Sequence, residues 1–71
     1  MEEAKFQRSA LKEKRLSLGL TQGAVAEAVG ISRTYYIRLE SGLREGTLPV
    51  WKKIAEVVGY PLEDIAELMY K

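Results

Sequence analysis

Glycine recurs at positions 19, 30, 42 and 59, and the stretches between these breaks carry helical rather than alternating apolar spacing. Five short helices fit. The first runs from roughly Phe6 or Ser9 to Leu18 and stops at Gly19, with Leu11, Arg15 and Leu18 on one face at i, i+4, i+7. The second opens with Thr21 as N-cap, buries Val25, Ala26 and Val29, and ends at Gly30, a residue suited to the left-handed position after a helix. The third opens with Ser32 as N-cap and ends before Gly42. The fourth follows Thr47 as N-cap and tolerates Pro49 in its first turn, where no backbone donor is needed. It turns Leu48, Trp51, Ile54, Ala55 and Val58 inward and ends at Gly59. The fifth starts near Pro61 and offers Leu62, Ile65, Ala66 and Met69. Val57–Val58 and Tyr35–Tyr36–Ile37 favour strands residue by residue, but they sit inside helix-period patterns. The expected fold is all-α, a compact five-helix bundle.

A chain of 71 residues makes one domain at most, near the lower limit for folding without a staple. It has no cysteine and no histidine, so neither a disulfide framework nor the usual zinc ligands can support a small core. The hydrophobic content of 46% suits a compact globule. No segment is apolar for long enough to span a membrane. The acidic, then polar, start is not a secretion signal, so a cytoplasmic protein is the default expectation. No cofactor or small-molecule ligand is evident. Nor is an enzyme expected, since no nucleophile or base of the usual kind is paired, and Glu63 and Asp64 read as first-turn acids favoured by a helix dipole.

The net charge of +1 hides a polarised distribution. Glu2 and Glu3 give −2 to residues 1–4. Residues 5–44 carry +5, from Lys5, Arg8, Lys12, Lys14, Arg15, Arg33, Arg38 and Arg44 against Glu13, Glu27 and Glu40. Residues 45–71 return to −2. The basic excess surrounds the second and third helices, as suits a small protein that approaches phosphates from one side.

A helical wheel separates the third helix into two arcs. With Arg33 at zero, Ile37 falls at roughly 40°, Thr34 at 100° and Arg38 at 140°. Leu39 and Tyr36 fall at roughly 240° and 300°, Tyr35 on the flank near 200°, and Glu40 near 340°. Tyr36 and Leu39 therefore face the core, while Arg33, Thr34, Ile37 and Arg38 face out. A short helix, a glycine turn and a second helix of this kind form the layout of a helix-turn-helix, whose second helix enters the DNA major groove. Arg33 and Arg38 have the fork to pair with guanine O6 and N7, Thr34 suits a base edge, and Ile37 a thymine methyl.

The chain resembles the Cro/repressor-type (lambda repressor-like) helix-turn-helix family of phage and bacterial regulators. The residues that carry the likeness are 11–22, Val25–Ala26 followed by Gly30, Leu39–Glu40–Ser41–Gly42, and Thr47–Leu48 with Ile54–Ala55, which together place residues 8–68 in register. The resemblance implies that Gln22 binds a phosphate and braces the recognition helix. It also implies that Ser32 and Arg44 approach the DNA backbone, and that Arg33, Thr34 and Arg38 stand at base-reading positions. Arg15 and Glu40 match a buried or half-buried ion pair that ties the first helix to the third. Tyr35 is available to a phosphate through its hydroxyl. The chain departs from the family at Gly23, Ala24, Ile37 and Pro61, where polar residues are usual.

One recognition helix buries too little surface for tight specific binding, so a homodimer on two half-sites is expected. Leu62, Ile65, Met69 and Tyr70 of the fifth helix, about 61–70, together with the loop before the fourth helix, are the candidates for its interface. The overall expectation is a single helix-turn-helix domain over residues 1–71 that acts as a transcriptional repressor or autoregulator on a palindromic operator in double-stranded DNA. The alternative is a protein-interaction module on the same fold.

Overall fold

The computed structural model describes residues 7–70. Among them are α1 (Ser9–Ser17), α2 (Gln22–Val29), α3 (Arg33–Ser41), α4 (Leu48–Val58) and α5 (Ile65–Tyr70), with a 3-10 turn over Leu62–Asp64 leading into α5. No strand occurs among the described residues. Phe6, one proposed start for the first helix, lies outside them; α1 begins at Ser9.

Local chemistry sets most of the helix ends. The Thr21 hydroxyl accepts from the Ala24 N–H at 3.0 Å, and the Ser32 hydroxyl from the Tyr35 N–H at 3.1 Å. Each thereby satisfies a donor that the first turn leaves open. Between them Gly30 adopts φ 88°, and its N–H and that of Ile31 both reach the Ala26 carbonyl at 2.9 and 3.0 Å. An L side chain resists that left-handed conformation, which is why glycine sits at this corner. Thr47 occupies the N-cap position of α4, but its side chain makes no cap hydrogen bond. Pro49, in the first turn, removes one of the donors such a cap would serve.

Among the described residues ten side chains form the core: Leu11, Val25, Ala26, Tyr36, Leu39, Trp51, Ile54, Ala55, Val58 and Leu68. α2 packs on α3 and α4, and α5 closes against α1 and α4. Full burial of each large apolar side chain contributes about 1.5–3 kcal/mol.

Four residues expected to face inward, Leu18, Leu48, Leu62 and Ala66, are exposed, and Val29 is half-buried against the core. Leu18 follows the last residue of α1, so the helical phase no longer carries it inward, and it is exposed. Leu48 starts α4 and projects beyond the neighbouring helices. Leu62 belongs to the 3-10 turn, whose three residues per turn shift the phase of everything after it. The inward stripe is therefore Ile65, Leu68 and Met69, with Leu68 fully buried, while Ala66 faces solvent.

Candidate nucleic-acid interface

α3 has one anchored side and one open side. Tyr36, Leu39 and Glu40 are buried, whereas Arg33, Thr34 and Arg38 are exposed and follow one another along the helix. Neither arginine side chain makes a hydrogen bond or ion pair among the described residues, so both guanidinium forks face outward unspent. Gly23, in the first turn of α2, lies beside Arg33: a methyl group there would sit in ordinary contact, 3.7 Å from the arginine Cδ.

Ile37 is half-buried rather than open. It lines a cavity of about 430 Å³ with Lys12, Glu13 and Leu16 of α1, because α1 runs along that side of α3. A wheel drawn for an isolated helix cannot register this neighbour. Tyr35 is also half-buried and packs on the core, and Ser32 is exposed.

Behind the open face, Arg15 and Glu40 meet in a two-point contact. Arg15 Nε donates to Glu40 Oε2 at 2.8 Å and Nη2 to Oε1 at 2.9 Å. The remaining Arg15 nitrogen, Nη1, donates to the Leu20 carbonyl at 2.8 Å, which locks the α1–α2 loop to the same guanidinium. Gln22 Nε2 donates to Glu40 Oε1 at 3.4 Å, so the residue expected at a phosphate leans on the pair that braces α3. Burial pushes the Glu40 carboxyl upward, but Arg15 and then the neighbouring Tyr36 and Gln22 outweigh it and hold the group below 4.5. The Tyr36 hydroxyl is buried beside the pair and finds no hydrogen-bond partner in good geometry among the described residues. Burial, reinforced by Glu40, raises its ionisation well above the ordinary value of 10, so the phenol stays neutral.

Arg44 lies exposed in the loop after α3. The N–H groups of Leu43 and Arg44 both donate to the Arg38 carbonyl, at 2.9 and 3.3 Å, so the loop folds back directly onto the end of α3. The loop is held from inside by two residues to which sequence reasoning assigned no role there. Arg8, only 3% exposed, donates from Nη1 to the Leu39 carbonyl and to the Arg44 carbonyl, the latter at 2.8 Å, and from Nε to the Met69 carbonyl at 2.7 Å. Its guanidinium stacks 4.8 Å from the centre of the Trp51 ring, and Trp51 Nε1 donates to the Glu45 carbonyl at 2.8 Å. No sequence pattern announces an arginine that binds carbonyls, and Arg8 reads simply as one more cation of the basic segment.

Of the candidates for self-association, Leu62 is 56% and Tyr70 65% exposed, while Ile65 and Met69 are half-buried against the core. None of the helices among the described residues is long and apolar enough to cross a membrane.

This arrangement of capped helices around a glycine corner defines a helix-turn-helix protein, and comparison with known families agrees. The family described as Helix-turn-helix matches residues 11–65, and the chain belongs to it, within its Cro/repressor-type branch. The chain is 46% identical over 50 residues to a Bacillus subtilis (strain 168) protein named as the uncharacterized HTH-type transcriptional regulator YqaF. That match covers 70% of this chain and 66% of the relative, so the chain spans just under two thirds of it. It is also 41% identical over 59 residues to an uncharacterized HTH-type transcriptional regulator of Methanothermobacter thermautotrophicus, covering 82% of this chain and 86% of that protein.

Proposed function

We propose that this protein binds double-stranded DNA in a sequence-specific manner and regulates transcription, as a repressor or autoregulator acting from a homodimer on a palindromic operator. The observation that carries this reading is the exposed run of Arg33, Thr34 and Arg38 on a helix whose opposite side is fixed by Tyr36, Leu39 and Glu40. Outward arginine forks on a rigid helix are the groups that read guanine edges in the major groove. Thr34 suits an adjacent base edge, and the exposed margin of Ile37 a thymine methyl. Gln22, Ser32, Tyr35 and Arg44 surround this face and suit phosphates, which position the helix without reading sequence. Leu62 and Tyr70, with Ile65 and Met69 beneath them, offer the surface for a second subunit. The work of such a regulator belongs in the cytoplasm, on the chromosome.

Selection of bound duplexes from a random pool tests the reading, and a palindromic consensus is the expected result. On that duplex, R33A and R38A each lose about 1–3 kcal/mol of discrimination, confined to one base position apiece. Binding also weakens steeply with added salt. Unchanged affinity and specificity in both variants would remove α3 as the reading helix. Salt-insensitive association with a protein and no duplex binding would instead favour an interaction module.

A further inference from the structure

The loop 43–47 is held more firmly than an exposed connection needs to be. The N–H of Arg44 is tied to the Arg38 carbonyl, and its own carbonyl is tied to Arg8. The next carbonyl, that of Glu45, is taken by Trp51. The residue after that, Gly46, has φ 75°, and a Cβ there would lie 2.8 Å from both Trp51 Nε1 and Leu39 Cδ2. The backbone at Gly46 thus presses directly on the Trp51 edge, a conformation and an approach open only to glycine.

From this geometry we propose that Arg8 and Trp51 form a stacked clamp whose donors hold two consecutive carbonyls of the loop, and that this clamp positions Arg44 against the DNA backbone. The proposal rests on the reading of Arg44 as a phosphate contact. Arg8 is buried and cannot reach DNA itself, so it is a positioning residue that acts through Arg44. The physical gain is pre-organisation. With the peptides on both sides of Arg44 fixed, only its side chain remains to be ordered when a phosphate arrives, and a backbone ordered in advance at one residue is worth about tenfold in binding. The same Arg8 guanidinium holds the carbonyls of Leu39 in α3 and Met69 in α5, so the loop shares its support with the last turns of both helices.

The test compares R44A, R8M and the double variant on the duplex selected with the unmodified protein. Affinity is measured across a salt series, at a temperature where circular dichroism shows each variant fully folded. R44A should bind about tenfold more weakly, with a log-affinity against log-salt slope shallower by about one, the signature of one lost phosphate contact. R8M should flatten the slope to the same degree, and the double variant should bind no more than about twofold below R44A. A purely structural role would leave the slope of folded R8M unchanged and its loss additive with that of R44A, and that result overturns the clamp. An unchanged slope in R44A itself overturns the phosphate role of Arg44, and the clamp with it. Should R8M not fold, W51F carries the test under the same folded conditions, since it keeps an aromatic ring and removes the donor to Glu45, along with core volume that costs stability. A shallower slope in W51F supports the clamp, and the original slope overturns it.

Discussion

Two arginines seven residues apart, Arg8 and Arg15, are both buried at the α1 side of the molecule, yet they are satisfied in different ways. Arg15 meets a carboxylate across the core and forms a two-point ion pair with Glu40. Arg8 instead holds the main-chain carbonyls of Leu39, Arg44 and Met69 and stacks on the face of Trp51, with Glu45 near enough to favour its charge. The first fixes a helix by matching charge to charge. The second gathers a helix end, a loop and the last turn of α5 onto one planar donor, a task that suits the rigid fork of arginine and would be lost on lysine. A buried charge thus serves as a strut in one place and as a knot in the other.

The largest expected effect breaks the strut. E40A strands Arg15 in the interior and should lower stability by about 3 kcal/mol in chemical denaturation, because one buried charge is left uncompensated. Its pH dependence sharpens the contrast. The Glu40 carboxyl is held below 4.5 in the folded state, so the stability it supplies is fully present above that value and fades as pH falls through the lowered folded value. A melting-temperature series should show this acid loss in the unmodified protein and a shallower one in E40Q.

Breaking the knot is expected to cost less. R8M should lose about 2 kcal/mol, since two of its three carbonyl partners, those of Arg44 and Met69, are only part-buried and water can reclaim part of what the guanidinium provided. Arginine stays cationic throughout the acid range and its carbonyl partners do not titrate, so most of the difference between R8M and the unmodified protein should persist across the same pH series, although the charge of Glu45 also favours the Arg8 cation. A difference that collapsed at low pH would mean that Arg8 depends chiefly on a carboxylate, as Arg15 does, and the contrast would fail.

The smallest effect concerns the group wedged beside the strut. The Tyr36 hydroxyl is buried without a well-placed partner among the described residues yet lends some support to the Glu40 carboxylate, so the two effects offset and Y36F should change stability by less than about 1 kcal/mol. A larger loss in thermal unfolding would place the hydroxyl as a third member of the Arg15–Glu40 contact.

What the sequence alone determined is the part of the molecule written in short-range signals. Thr21, Gly30, Ser32 and Gly42 set the ends of α2 and α3 because caps and left-handed glycines act within one turn of where they stand. The same local period separated Tyr36 and Leu39 from Arg33, Thr34 and Arg38. The tertiary structure alone decided where one element alters another. α1 half-covers Ile37, the 3-10 turn rephases α5 so that Leu68 rather than Leu62 enters the core, and Arg8 finds carbonyls supplied from 31, 36 and 61 residues away. A backbone carbonyl belongs to every residue alike, so nothing in the order of side chains marks the three that Arg8 binds. Only the folded chain brings them together.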